Sequence, residues 1–292
     1  MWRKGLWVPA VWALLAAPAA AQQQNDLLDV FTVKVKPEKM AQFEAVSRKI
    51  AAANRQNKGS DWLAVSQEYG QGHTIRFIST RPSFAAIETA NAAFMGAMMK
   101  AHGQAGTEQI FRDGDACMES AGSEVRRRRW ELSSNAPADA AAMARLVGDA
   151  RWLQTAIVRV RPGMGPKVEE QIRALKAANE RANPKITMLV SQAVTGQTGT
   201  VYYVTYLRKS LAELDGAPST AQLLGEDAYG AFLKASSEAV VNTEYTISRF
   251  RPDLSNPSDE TAAIAPDFWR PKPPPASKPA KEEAPKAAAP KQ

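Results

Sequence analysis

Cationic side chains recur on two segments whose alternating pattern predicts strands. In TVKVKP, which begins at Thr32, and IVRVRP, which begins at Ile157, Lys34 and Arg159 alternate with valines. Successive side chains of a strand point to opposite faces of the sheet. If the valines pack on helices, Lys34 and Arg159 therefore face the other side of the sheet.

The run RRRRW adds a further group of cations on a polar strand. Arg127 and Arg129 share one face of this strand, and Arg126 and Arg128 share the other. We expect one of the two faces to point inward, because side chains alternate along a strand. Arg127 and Arg129 enter the candidate set.

Several cations close to an aromatic ring could form a cavity for an acidic or phenolic small molecule. Guanidinium groups hold carboxylates through two parallel hydrogen bonds. The candidate ligand-binding residues are Lys34, Trp62, Arg76, Arg127, Arg129, Arg159, Tyr203 and Arg249. The alternative is that the cations lie on solvated strand edges, where Lys and Arg discourage the addition of another strand.

Metal ligands are scarce in the sequence. The histidines are His73 and His102, and the only cysteine is Cys117, so no ligand cluster of the usual spacing exists and no metal site is predicted. No phosphate-binding loop or nucleophile elbow occurs, and no cofactor is predicted. The segment TEQIFRDGDACMESAG has no counterpart later in the chain, so Asp113, Asp115 and Cys117 are a further place to seek function. A flexible surface loop is the alternative.

The two ends of the chain predict export and a disordered tail. Residues 1–21 place Arg3 and Lys4 before an apolar run that closes in small residues, the pattern of a cleaved signal peptide. The protein is therefore expected to be periplasmic or secreted, without a transmembrane anchor after cleavage. Residues 256–292 are predicted to be disordered, and the Pro-, Ala- and Lys-rich part from Arg270 onward could contact an anionic envelope surface.

The net charge of +7 comes mostly from these ends. The leader carries two positive charges and the tail from Arg270 carries four, which leaves +1 for the folded body. A nearly neutral body does not favour nucleic-acid binding.

Two stretches of the chain repeat one order of elements. Residues 29–133 and 153–255 each predict strand, helix, strand, strand, helix, strand, and a connector with a helix near 138–146 occupies 134–152. This order is the ferredoxin-like unit. Some letters recur as well, with Ser66 at Ser191 and Glu124 at Glu244. One such unit leaves a sheet face bare, so we expect two tandem ferredoxin-like repeats to close an intramolecular pseudo-dimeric α+β barrel, in a chain that is monomeric.

The strand order, the duplication and the opening KVKPEKMAQFEA resemble the dimeric α+β barrel superfamily. It includes the antibiotic biosynthesis monooxygenases, the haem-degrading monooxygenases and the NIPSNAP and EthD-like proteins, and the resemblance covers residues 29–255. Its members include oxygenases, isomerases, peroxidases and proteins of no known activity. Because the haem-degrading members hold haem through a second-helix histidine, the resemblance makes His102 a candidate axial ligand. Lys34 and Lys36 stand where those members have an asparagine.

These observations favour an exported protein that binds a small molecule. One alternative is a cofactor-independent monooxygenase-like enzyme with a pocket in one half, lined by Trp62, Arg127 and Tyr203. Another alternative is an envelope interaction module that needs no pocket. A cavity of several hundred Å3 would favour the first two functions over the third.

Overall fold

The computed structural model describes residues 27–182 and 186–271. The predicted leader, residues 1–21, lies outside them, as does the predicted tail beyond residue 271. Within the described ranges, no helix is both long enough and apolar enough to cross a membrane.

Eight strands and eight helices make up the described part of the chain. The first half contains β1 (Leu27–Val35), α1 (Met40–Gln56), β2 (Leu63–Tyr69), β3 (Thr74–Arg81), α2 (Phe84–Asp115) and β4 (Met118–Arg128). The connector contains α3 (Ala140–Asp149). The second half contains β5 (Trp152–Val160), α4 (Gly165–Ala182), β6 (Met188–Thr195), β7 (Thr200–Arg208), α5 (Thr220–Leu224), α6 (Glu226–Ala239) and β8 (Val240–Phe250). Two short helices follow, α7 (Asp259–Ile264) and α8 (Pro266–Trp269).

The strands form one closed antiparallel barrel in the order β1-β3-β2-β8-β5-β7-β6-β4. Each half contributes four strands, and two seams join the halves. Val65 of β2 pairs with Phe250 of β8 at one seam, and Arg128 of β4 pairs with Ser191 of β6 at the other. The predicted α+β barrel is confirmed by this topology.

The apolar faces of the strands point outward, towards the helices. Val33 and Val35 of β1 pack with Phe43 of α1, and Val160 of β5 packs with Ile172 of α4. Each such buried side chain stabilises the fold by about 1.5–3 kcal/mol relative to an exposed one. By alternation, the other face of each strand points into the barrel.

The stretch without a counterpart is mostly helical. The long helix α2 bends at Gly103, whose φ is 66°, and continues to Asp115. Cys117 follows it directly and is fully buried, with its Sγ donating to the carbonyl oxygen of Asp113 at 3.1 Å. The alternative of a flexible surface loop is therefore wrong here. None of Asp113, Asp115 and Cys117 lines the barrel cavity.

The C-terminal segment packs on one end of the barrel. Trp269 of α8 is fully buried against Phe250 of β8, and its Nε1 donates to the carbonyl oxygen of Gly148 in α3. A Cβ at Gly148 would lie 2.5 Å from that of Ile264, so α3 and α7 lie in close contact. Residues 256–271 are thus ordered, and the predicted disorder of 256–292 is wrong over this part.

The residues that recur in the two halves of the sequence do not all occupy equivalent positions in the structure. Ala64 of β2 and Val190 of β6 each donate a backbone N–H to a serine hydroxyl from the other half, at 2.8 and 2.9 Å. Ala64 therefore corresponds to Val190, and Val65 corresponds to Ser191. The expected match of Ser66 with Ser191 is wrong by one residue, which places the two side chains on opposite faces.

Candidate functional site

A cavity of about 1080 Å3 lies inside the barrel and opens at the end that α3 and α7 cover. Inward side chains of the strands line its inner part, and residues of α2, α3 and the 257–264 segment line its mouth. Small-molecule sites commonly measure about 300–1000 Å3. The space is therefore large enough for an organic molecule of moderate size.

The wall of the cavity is charged on one side and uncharged, with apolar patches, on the other. Arg76 of β3 and Arg126 and Arg128 of β4 line the charged side. Leu153 of β5 and Phe250 of β8 belong to the opposite side, together with the hydroxyl groups of Thr155, Thr246 and Ser248. A bound molecule would meet charge on one side and a mixture of hydrocarbon and hydroxyl groups on the other.

Three buried side chains form a hydrogen-bonded cluster at the charged side. The hydroxyl of Tyr203 donates to Glu124 Oε2 at 2.6 Å. Arg126 donates from Nε to Glu124 Oε1 at 2.9 Å, and its guanidinium lies 3.5 Å from the centroid of the Tyr203 ring. Their exposed fractions are 2% for Tyr203, 5% for Glu124 and 7% for Arg126. Burial raises the pKa of Tyr203 above its ordinary value, so the phenol stays neutral.

Arg76 lies beside this cluster with a neutral partner. Its Nη1 donates to Gln67 Oε1 at 2.6 Å. Burial, and then the positive charge of Arg126, lower the pKa of Arg76, while Glu244, Glu124 and Tyr203 act in the opposite direction. An arginine remains protonated in spite of such a shift. The cavity therefore contains a desolvated cation held by an amide.

The polar cluster has no counterpart at the corresponding positions of the two halves. Arg76 pairs with Thr32, and Tyr203 pairs with Ile157. Thr32 and Ile157 take the same place in VFTVKVKP and TAIVRVRP, so Arg76 and Tyr203 occupy corresponding positions. A cation in one half thus corresponds to a phenol in the other.

The residue that corresponds to Glu124 in the second half is also of a different type. Glu124 pairs with Val30, whereas Thr246 pairs with the corresponding Thr155. Thr246, and not Glu244, therefore corresponds to Glu124. The prediction that Glu124 recurs at Glu244 is therefore wrong by two residues.

The arginines of RRRRW that line the cavity are Arg126 and Arg128, and not the pair chosen from the sequence. Arg127 is exposed on the outer face. Arg129 follows the strand on the outside, where Nη2 lies 2.7 Å from Glu169 Oε1 of α4. The choice of Arg127 and Arg129 is therefore corrected, because the inward face of β4 carries the even-numbered residues.

Two further candidates lie outside the cavity. Lys34 is inward by alternation but lies at the barrel end, where its Nζ is 2.8 Å from Glu119 Oε1 and both side chains are largely exposed. Arg249 is exposed on the outer face, 5.8 Å from the ring centroid of Trp152. Both match the alternative in which cations occupy solvated strand ends and edges.

Arg159 and Trp62 are half-buried and buried, respectively. Arg159 donates to Gln197 Oε1 at 3.2 Å and does not line the cavity. Trp62 lines the cavity near its mouth and donates from Nε1 to the carbonyl oxygen of Leu254 at 2.8 Å. Of the candidates from the sequence, Trp62, Arg76 and Tyr203 meet at the cavity.

The residues present do not fit an axial haem ligand in this cavity. His102 is exposed on α2, next to the bend at Gly103, and does not line the cavity. Among the cavity-lining residues of the described ranges there is neither histidine nor cysteine. The described residues also contain no group of three or more metal-ligating His, Cys, Asp or Glu side chains.

Sequence reasoning missed Glu124 and the inward orientation of Arg126. A signal was present, because EVRRRRW places Glu124, Arg126 and Arg128 on one face by alternation. The same alternation also places Arg127 and Arg129 together on the other face, so it does not tell which face points inward. Only the pairing with β1, which places Arg126 opposite Leu28, decides between the two.

Comparisons with known proteins relate the chain to barrel structures only. No family model and no curated protein matches it. A presumed monooxygenase from Lactobacillus acidophilus NCFM is 8% identical, with 80% of this chain and 98% of that chain covered and a TM-score of 0.48. An anthrone oxidase-like protein is 14% identical, with 79% and 93% covered and a TM-score of 0.49. A mutant chlorite dismutase from Candidatus Nitrospira defluvii, in complex with cyanide, is 8% identical, with 82% and 94% covered and a TM-score of 0.43. The chain itself forms a closed eight-stranded antiparallel barrel with helices on its outside, which is an α+β barrel fold.

Proposed function

We propose that this protein binds a small acidic or aromatic molecule inside its barrel. The observation that carries the proposal is the cavity of about 1080 Å3 with a charged side and an uncharged, partly apolar side. An interaction module would need no such space, and a packed interior would be more stable because empty apolar volume is destabilising. The cavity therefore favours binding of a small molecule over a purely structural role.

The binding proposal is tested by blocking the mouth of the cavity. Ala144 lines the mouth on α3 and is half-buried, whereas Ala142 lies on the same helix away from the cavity. We expect Ala144→Trp to abolish uptake of small aromatic molecules, measured by native mass spectrometry and by thermal shift across a compound library. The matched control, Ala142→Trp, should bind as the wild type does. Equal binding by both variants, or no binding by the wild type, would contradict the proposal.

A cofactor-independent monooxygenase-like enzyme is the second candidate. The hydrogen-bonded pair of Tyr203 and Glu124 beside the cavity favours it, since a phenol and a carboxylate in contact can hold a proton near a bound substrate. The measurement is oxygen uptake with phenolic compounds by the wild type and by Tyr203→Phe. Uptake that is equal in the two proteins, or absent from both, would rule out a role for this pair.

We also infer that the barrel arose by tandem duplication. Each half has the order strand, helix, strand, strand, helix, strand, with the second helix of the second half divided into α5 and α6. Ser133 and Ser255 support the inference, because each follows the last strand of its half and accepts a backbone N–H from the other half. Shared order together with shared cross-half contacts is what a duplicated unit would retain.

A further inference from the structure

The cluster around Tyr203 has an excess of one positive charge, with Arg128 further along β4, over the ring of Trp130. Arg76 and Arg126 contribute two guanidinium groups, and Glu124 contributes one carboxylate. Glu124 is already engaged by Arg126 and by the hydroxyl of Tyr203. Its two oxygens are therefore occupied, and Arg76 receives no direct ion pair from it.

Arg76 has no carboxylate within ion-pair distance among the described residues. Its hydrogen bond goes to the neutral amide of Gln67. Glu244, a half-buried residue, raises the pKa of Arg76 through its charge but lies beyond the 4 Å of an ion pair. A desolvated guanidinium without a carboxylate partner is unfavourable, and a bound anion would supply that partner.

The two guanidinium groups lie close enough to repel each other. The charge of Arg126 lowers the pKa of Arg76, and both side chains line the same cavity. Arg126 uses Nε and Nη2 for Glu124, which leaves Nη1 directed elsewhere in a planar group with five N–H donors. An anion between the two groups would relieve the repulsion and accept hydrogen bonds from both.

The rest of the cavity indicates what the anion must be attached to. Across the cavity from the arginines, Leu153 and Phe250 present hydrocarbon, and Val65, the cross-strand neighbour of Arg76, extends this apolar surface towards the cluster. Such a surface binds an apolar body by removing it from water, at about 25 cal/mol per Å2. A small inorganic anion would leave this side without contact.

We propose that the ligand is an organic monoanion, with its carboxylate between Arg76 and Arg126 and its apolar body against β2, β5 and β8. This inference rests on the proposed binding function and adds the chemical class and the orientation of the ligand. A single negative charge neutralises the excess charge of the cluster. A dianion would carry one negative charge more than this cluster neutralises.

The test compares acids with their uncharged primary amides of equal size. The probes are 2-naphthoate and decanoate, with 2-naphthamide and decanamide, titrated calorimetrically against the wild-type protein. We expect each acid to bind about ten- to a hundredfold more tightly than its amide, the effect of one charge-assisted hydrogen-bonded contact. Arg76→Gln should remove most of that ratio by weakening the acid alone. Arg127→Gln, which removes an exposed arginine from β4, should leave the ratio unchanged.

The outcomes separate this inference from the binding function. Equal binding of acid and amide by the wild type would overturn the monoanion assignment while the cavity remained a binding site. If neither probe of a pair bound, the proposed function and the assignment would both fall. An unchanged ratio in Arg76→Gln would also overturn the assignment. The comparison on the wild type needs no variant, so it decides the matter even if Arg76→Gln does not fold.

Discussion

Replacement of Trp269 by alanine measures the contribution of the C-terminal segment to stability. The ring is fully buried, with ring centroids at 5.5 Å from Phe250 and 4.9 Å from Phe268, both edge-on. Its Nε1 donates to the carbonyl oxygen of Gly148 at 2.9 Å. The side chain therefore joins α8 to both β8 and α3.

The expected loss follows from these contacts. Removal of a buried Trp side chain to alanine typically lowers the free energy of unfolding by about 3–5 kcal/mol. The carbonyl of Gly148 loses its partner, which acts in the same direction. Domains commonly have about 5–15 kcal/mol of stability, so the variant should fold but with a small margin.

The assay is urea denaturation followed by far-UV circular dichroism, which does not depend on tryptophan emission. Trp269→Phe keeps much of the ring but lacks the N–H, so it should lose less than Trp269→Ala. Tyr245→Ala removes an aromatic side chain that is 74% exposed, and it should change stability by less than about 0.5 kcal/mol. A loss below about 1 kcal/mol in Trp269→Ala would refute the packing of residues 256–271 on the barrel.

Three further predictions follow from buried polar groups. Glu124→Gln leaves a guanidinium buried without its carboxylate, and should lower the free energy of unfolding in urea by about 3–5 kcal/mol; a loss under about 1 kcal/mol would count against the cluster. Ser133→Ala and Ser255→Ala each remove a hydroxyl that joins the two halves, so each should be destabilising by about 1–3 kcal/mol in the same assay; an effect at only one site would contradict their equivalence. Burial raises the pKa of Tyr203 above 10.0 and that of Tyr202 to about 12. A raised pKa means that the folded state holds the proton more tightly than the unfolded state. The stabilisation that these two phenols give the folded protein is therefore complete below pH 10 and is lost as the pH rises towards 12 and beyond. Tyrosinate absorbance should show these phenols titrating later than free tyrosine, and their titration at the free value would refute this.

The outer layer of the fold could be predicted from the sequence because it follows apolar periodicity. Val33 and Val158 alternate with cations on their strands, and each is followed by a helix with an apolar stripe. These patterns predicted the order of elements, the helix-facing side of β1 and β5, and the barrel. They did not depend on long-range register.

The interior could not be predicted to the same extent, because its faces differ by a single residue. RRRRW has cations on both faces, so no hydrophobic pattern indicates which of Arg126 and Arg127 points inward. A slip of one residue exchanges the faces, as Ser66 and Ser191 also show. The segment around Trp269 was missed for another reason. Its helices are short, and the second begins at Pro266, so they lack the periodicity of a long helix.

The closure of the barrel within one chain has a consequence for the orientation of a ligand. Two identical chains would place the same side chain at both symmetry-related positions, and a ligand could enter in two equivalent orientations. Here the related positions hold Arg76 and Tyr203, so the two orientations are not equivalent. We therefore expect the proposed ligand to occupy the cavity in a single orientation. In a spectroscopic titration the complex would give one set of ligand signals.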